Sequence, residues 1–456
     1  MTTAATAPTG RQPAQHPAQR RTLAVLVLCQ GLSGAGLAAG ITVGALLAEQ
    51  MLGSTGLAGL PAALFTAGAA LGAAGIGRLC QRSGRRPGLA LGYATGALGS
   101  LGVVAAATTG SVPLLFASLL VYGAGTAANL LARYAGADLA APERRGRAVS
   151  TVLFATTFGA VVGPNLVDLT GELAHSWGIP RLAGPFLLAT AAYGSAALVL
   201  ALLLRPDPLR LARELAGLPG SEDSPGETGR ENTGSEDTGD ADDTGAAEPA
   251  RPRERRIPLG AATGGAVMVL TQLVMIAIMT MTPVHMQAHG HGTQAAGLVI
   301  ALHVAAMYLP SPLTGLLVDR IGRHRLAAAS GATLLAAGLL AALAPPHSVA
   351  ALAAALVLLG LGWNFGLVSG TAMVTDAVPL DRRASVQGLV DVGISIAGAT
   401  GGMASGLVVA ATGYPTLAAT GAVLAVAVIP AVALRRRPEP TPVQDGVRDP
   451  AQPENA

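Results

Sequence analysis

Lysine is absent from the chain, so all 29 basic residues are arginine. A Walker-type phosphate loop needs its lysine, and ATP hydrolysis through that motif is excluded. Charge of either sign is scarce, at 12% of residues against roughly 25% in an average soluble domain. Too few solvated groups remain to cover a globular surface, and a soluble protein is excluded. Cysteine occurs twice, as Cys29 and Cys80, without C-x-x-C spacing, which rules out a disulfide framework or a zinc-stapled module. Formal net charge is only +3 and the arginines fall in short clusters, so no broad basic face exists for nucleic acid. No nucleophile or metal triad is apparent, and the chain is read as a non-enzyme without cofactor or resident metal. Three histidines, His285, His289 and His291, are a weak metal signal without a Cys or carboxylate framework.

Apolar sequence is abundant, at 51% of residues, together with 60 glycines. A bilayer-crossing helix needs about 20 mostly apolar residues. Twelve such runs lie near 22–47, 56–79, 88–108, 112–138, 148–170, 182–204, 258–282, 293–318, 326–344, 349–376, 384–411 and 415–434. Short connections between them make antiparallel neighbours and a packed bundle. The predicted class is thus an all-α integral membrane protein, a multi-pass monomer in the lipid bilayer. Glycines such as Gly68, Gly72, Gly75 and Gly77 suit close backbone approach between helices in lipid.

Arginine placement orients the chain, because cytoplasmic loops collect positive charge. With the N-terminus inside, inner loops carry Arg82, Arg85 and Arg86, then Arg144, Arg145 and Arg147, Arg320, Arg323 and Arg325, and Arg382 and Arg383. Only Arg181 falls outside, so both termini are expected in the cytoplasm and the protein in the plasma membrane. Residues 1–21 form an N-tail without the pattern of a cleavable signal peptide. Residues 205–257 begin with the amphipathic LRLARELAGL and continue into a Ser/Gly/Thr run with ten acidic residues between Pro219 and Ala250. Lacking an apolar cluster, this segment is expected to be a disordered cytoplasmic linker between residues 22–204 and 258–434. Residues 435–456 form the C-tail.

The two halves repeat. GRLCQRSGRR from Gly77 and GLLVDRIGRH from Gly315 align at an offset of 238, which also pairs Asp138 with Asp376 and Glu143 with Asp381. The same register pairs Arg144 and Arg145 with Arg382 and Arg383, and Gly163 with Gly401. One unchanged register across such a length implies two homologous six-helix bundles.

At these residues the chain resembles the major facilitator superfamily, whose G-x-x-x-D-R-x-G-R-R motif after the second span is nearly complete as Gly315, Asp319, Arg320, Gly322 and Arg323. In the first half it reads Gly77, Gln81, Arg82, Gly84, Arg85 and Arg86, with Gln81 in place of the acid. The resemblance implies parallel six-span repeats, a midplane site for a small-molecule substrate and alternating access driven by an ion gradient. It implies a latch at the cytoplasmic end, with Arg85 or Arg86 pairing with Asp138 or Glu143, and Arg323 with Asp376 or Asp381. The first-half latch is expected to be the weaker one because Gln81 is uncharged.

In the family, spans 1, 4, 7 and 10 line the cavity. Polar groups in a bilayer are costly, about 3 kcal/mol for a central charge on insertion scales, and so face a cavity or a partner. Gln30, Ser33, Asn129, Gln272, Trp363 and Asn364 are the candidate substrate contacts, with interhelical hydrogen bonding as the alternative. Arg133 and Thr271 are further polar groups on these spans. Asp391, about 12 Å into span 11, is a candidate proton carrier, against an inner-gate carboxylate neutralised by Arg133. His303 is a second proton candidate, with a packing histidine as the alternative. Asp168 and Glu49 read as solvated rim charges. Span 5 carries Gly159, Gly163 and Pro164, similar to the G-x-x-x-G-P core of drug–proton antiporters, although Val167 and Asp168 replace the following glycines. A mainly neutral cavity favours proton-coupled efflux of a neutral to weakly polar solute. A proton-coupled uptake symporter and a non-transporting membrane sensor are the alternatives.

Overall fold

The computed structural model describes residues 16–52, 60–217 and 257–429. Helices dominate these residues because long runs of Ala, Leu and Gly-containing apolar sequence satisfy their backbone hydrogen bonds internally, as a bilayer requires. The first half comprises α1 (Pro17–Leu52), α2 (Leu60–Ser83), α3 (Arg85–Thr109), α4 (Val112–Ala137), α5 (Arg145–Asn165) continued by α6 (Val167–Ser176), and α7 (Gly184–Leu203). A short α8 (Pro208–Leu215) follows. The second half comprises α9 (Leu259–Ala288), α10 (Thr293–Tyr308) continued by α11 (Ser311–Ile321), α12 (Arg323–Leu343), α13 (Val349–Ala377), α14 (Arg383–Thr412) and α15 (Tyr414–Val426). Counting α5 with α6 and α10 with α11, the chain crosses the membrane twelve times as two six-helix bundles.

Each half has its own core. One cluster gathers Leu26, Tyr93, Tyr122, Leu131 and Phe186. The other gathers Met268, Leu334, Leu356 and Trp363, and takes in Val149 and Leu153 of α5 from the first half. In return Ala384 of α14 joins the first cluster. The halves therefore meet by exchanging α5 and α14.

Glycine sets the closest approaches. A Cβ on Gly72 of α2 would lie 2.1 Å from the carbonyl oxygen of Ala124 in α4, and one on Gly123 2.0 Å from that of Phe65. Only glycine lets these two backbones touch, in keeping with the packing expected in lipid. Span starts are capped where sequence allows it: Ser111 accepts from the Leu114 amide at 3.4 Å, and Ser348 from the Ala351 amide at 3.2 Å.

Three elements differ from the sequence-based expectation. Span 8, predicted as one run over 293–318, breaks at Leu309 and Pro310, since proline lacks an N–H and its ring crowds the preceding turn. Span 5 extends beyond 170 as α6, to Ser176. The start of the linker expected over 205–257 is ordered instead, because Asp207 caps α8 by accepting from Leu209 and Arg210 at 3.0 and 3.1 Å and Leu209 and Ala212 are buried. The acidic run itself and the C-tail 435–456 lie outside the described residues. The side chains of Glu49, Gly163 and Pro164 lie outside them as well, whereas Gly159 is buried in α5.

Candidate functional site

The repeated loop motifs build a seam between the halves at the arginine-rich end. Gly84 and Gly322 both adopt a φ of 92°, a backbone region open to glycine, and so turn α2 into α3 and α11 into α12 in the same way. This turn aims Asp319 at the start of α5 in the other half, where it accepts from the Gly146 and Arg147 amides at 2.8 and 3.1 Å. Gln81 does the same at the start of α14, accepting from Ala384 at 2.7 Å and Ser385 at 3.4 Å. Gly146 and Ala384 are themselves related by the 238-residue offset, so the seam is pseudo-symmetric. Both acceptors satisfy amides that a helix start leaves without partners. Gln81 also donates to the Leu380 and Asp381 carbonyls, which an aspartate cannot do.

Glycine again allows the fit. A Cβ on Gly77 would lie 2.8 Å from Cα of Gly388, and one on Gly315 would strike Ser150 at 1.8 Å.

Within the first half, Arg85 donates to Asp138 at 2.7 Å, both side chains fully buried, and it reaches Gln387 of the other half. Arg323 pairs with Asp376, which also pairs with Arg145 across the seam. Arg82 and Arg320 are exposed. Arg86 donates from its backbone to Asp207 and from Nε to the Ala201 carbonyl, rather than to Asp138 or Glu143.

Deeper in, Arg133 of α4 and Asp391 of α14 form an ion pair of 2.7 Å across the two halves, at 0% and 1% exposure. Arg133 also donates to Thr371 at 3.0 Å, the Leu130 carbonyl at 2.6 Å and the Tyr134 hydroxyl at 3.1 Å. One oxygen of Asp391, Oδ2, is buried without a hydrogen-bond partner. A buried pair of this kind is costly to break, because removing one partner strands the other charge, typically at 3–5 kcal/mol. The pair thus joins α4 of the first half to α14 of the second inside the buried seam.

The expected substrate contacts fall into two groups. Gln30, Ser33 and Asn129 are buried inside the first half, where Tyr93 donates to Gln30 at 2.6 Å, Ser33 to Asn129 at 2.6 Å, and Gln30 to Thr156 at 3.1 Å. Tyr193 closes the network by accepting from Asn129 at 3.3 Å. Asn364 is fully buried and braces the broken span 8, donating to the Met307 carbonyl at 2.7 Å and Ser311 at 2.8 Å while accepting from Thr314. Gln272, by contrast, is half-buried and accepts from the indole N–H of Trp363 at 2.7 Å. Tyr308 meets the same indole edge-on, with centroids 5.6 Å apart.

His303 is buried, with Nδ1 2.8 Å from the Leu356 carbonyl and Nε2 unpartnered. Asp168 is exposed. At the opposite end the rings of His285 and His289 lie 4.3 Å apart at a tilt of 53°, but no group of His, Cys, Asp or Glu among the described residues is arranged to hold a metal.

Gln387, Thr371 and the tyrosines Tyr93, Tyr134 and Tyr193 were not singled out in the sequence. Gln387 had a usable signal: Gln387, Asp391 and Ser395 recur at four-residue spacing and so share one face of α14. Thr371 stands at the offset position of Arg133, which places both beside the axis relating the halves.

The family model described as Major Facilitator Superfamily matches residues 23–227 and 264–454. The chain is 52% identical over 422 residues to the Bacillus subtilis protein named uncharacterized MFS-type transporter YdeG, covering 92% of this chain and 93% of that one. It is 31% identical over 376 residues to the riboflavin transporter RfnT of Brucella anthropi, covering 82% and 85% of the two chains. Among solved structures, the human organic anion transporter MFSD10 (TETRAN) has the same fold, with a TM-score of 0.70 at 17% identity over 91% of this chain and 100% of that one. With its doubled loop motif, twelve spans and two bundles joined at an exchanged seam, the chain belongs to the Major Facilitator Superfamily and is a membrane transporter rather than an enzyme.

Proposed function

We propose that the protein is a proton-coupled antiporter that exports a small, neutral to weakly polar organic solute by alternating access. It works as a monomer in the plasma membrane, with the arginine-rich end and both termini in the cytoplasm, as loop charge favours. The observation that carries this reading is the buried Arg133–Asp391 pair across the halves. With the pair intact the cytoplasmic seam is shut and the central site is open outward. A proton arriving from outside neutralises Asp391 at its unpartnered Oδ2 and strands the Arg133 charge. The cost of that stranded charge is as large as the few kcal/mol that separate conformers of a transporter, so the seam opens inward and the proton leaves to the cytoplasm. Solute then binds, the pair re-forms, and the carrier returns.

Gln272 and Trp363 contact the solute. Gln30, Ser33 and Asn129 stand behind them as a polar network that repacks during the cycle, Asn364 holds span 8 in its broken form, and His303 is a secondary proton site. Gly159 packs span 5 closely against Gly34 of α1. The motif residues Gly77, Gln81, Gly84, Arg85, Asp138, Gly315, Asp319, Gly322, Arg323 and Asp376 form the inner gate.

Proteoliposomes with an imposed pH gradient, screened over a compound panel that includes riboflavin, test this. Proton influx driving solute the other way, abolished in Asp391→Asn, is expected. Solute flux blind to the gradient, or coupling that survives Asp391→Asn, contradicts it. A second reading, proton-coupled uptake of a planar metabolite, is favoured by the relative named a riboflavin transporter. It is distinguished by solute and protons moving in the same direction.

A further inference from the structure

Beside the seam, on the outer flank of the first half, α3, α7 and α8 enclose a groove of about 540 Å³. Small-molecule pockets span roughly 300–1,000 Å³, so its size suits a headgroup. Its floor is apolar, with Pro87, Ala90, Ala201 and Leu211, and its rim carries Arg86, Arg205 and Arg210. Two acids also line it, Asp207 and Glu214. Asp207 is already engaged: Oδ2 accepts from the Arg86 amide at 2.6 Å, and Oδ1 from the Leu209 and Arg210 amides, so its charge is balanced by the starts of α3 and α8. Three arginines therefore face one exposed carboxylate, Glu214.

Two of the guanidinium groups are held in place, and Arg86 and Arg205 have donors to offer. Arg86 is fixed by its Nε on the Ala201 carbonyl at 2.8 Å, and Arg210 by its Nε on the Ser83 carbonyl at 3.2 Å. Neither the terminal nitrogens of Arg86 nor the guanidinium of Arg205 meets an acceptor among the described residues. Depth is fixed by the helices. Ala90 and Ala201 lie within about a turn and a half of the ends of α3 and α7, and the amphipathic α8 packs on α3 there, as a helix lying at the headgroup level does. Leu91 and Leu98 on α3 and Leu198 and Leu202 on α7 are exposed and continue from the apolar floor toward the bilayer core.

We propose that this groove is a binding site for one anionic phospholipid, whose phosphate sits among Arg86, Arg205 and Arg210 and whose acyl chains follow the exposed leucines. An apolar floor with a basic rim at this depth matches an anionic amphiphile, and basic pockets beside membrane helices commonly take such headgroups. Because Asp207 ties the groove to the start of α3, the bound lipid also steadies the turn that carries the first loop motif.

Native mass spectrometry of the full-length protein in detergent tests the site with dioctanoyl phosphatidylglycerol, dioctanoyl phosphatidylcholine and inorganic phosphate as separate probes. One phosphatidylglycerol per chain is expected to be retained in preference to phosphatidylcholine, with phosphate alone not retained. Arg205→Gln with Arg210→Gln lowers that affinity about tenfold or more, as loss of charged hydrogen bonds should, whereas Arg325→Gln, on the same face but outside the groove, does not. Unchanged melting temperatures of the lipid-free variants separate lost binding from lost folding. Equal retention of the two lipids, equal retention of phosphate alone, or retention unaffected by the double substitution would overturn the proposal.

Discussion

Asp391 and Arg133 act as a unit, and single substitutions at either are expected to exceed the effect of removing both. Asp391→Asn or Arg133→Met strands a buried partner at about 3–5 kcal/mol, while the double change to apolar residues recovers most of the loss. A double-mutant cycle on thermal or denaturant stability in detergent measures the coupling, and additive effects would show that the two charges do not depend on one another. Gln81 supports a second prediction at this scale. Gln81→Leu leaves the Ala384 and Ser385 amides without an acceptor and is expected to weaken the seam by about 1 kcal/mol, as loss of a helix cap does. Much of this was legible in advance, since a carboxylate eight residues inside an apolar run must have a reason to be there. The reach of Gln81 was not, because charge counting misses that an amide donates to Leu380 and Asp381 as well as accepting.

Helix contacts divide into those that hold a half together and those that close the seam. Gly72→Leu pushes α2 from α4 within the first half, so it lowers stability by about 1–3 kcal/mol or more, read from thermal unfolding. Gly77→Leu meets Gly388 across the seam, so it leaves the fold of the half intact and instead raises the inward-open population. A label pair at the exposed positions Glu143 and Arg320 reports that shift as a longer distance, and selective labelling is practical because Cys29 and Cys80 are buried. Span 8 shows where pattern reading stops. Hydropathy runs unbroken through 293–318, yet Pro310 interrupts the backbone and Asn364 on a distant helix completes it. Nothing in the local sequence of α10 and α11 names that partner, so Asn364 reads as a cavity residue until its neighbours are known. The same holds for Gln30, Ser33 and Asn129, whose partners lie on helices 36 to 126 residues away.

Across the whole molecule, the 238-residue offset made the architecture readable, because duplicated loops must occupy equivalent places in two bundles. The symmetry also shows what is unequal. Asp391 and Arg133 have Leu153 and Thr371 at their offset positions, so the central charge pair breaks the repeat that the surrounding seam obeys. In the proposed mechanism the symmetric seam is the gate, and the asymmetric charge pair is what biases it. The direct test is the distance between spin labels at Glu143 and Arg320, followed in a membrane as the pH is lowered. The account predicts a shift to longer distances in the native sequence as Asp391 takes up a proton, and an already lengthened, pH-independent distribution in Asp391→Asn. A native distribution that ignores pH, or an Asp391→Asn protein that still responds to it, would contradict the account.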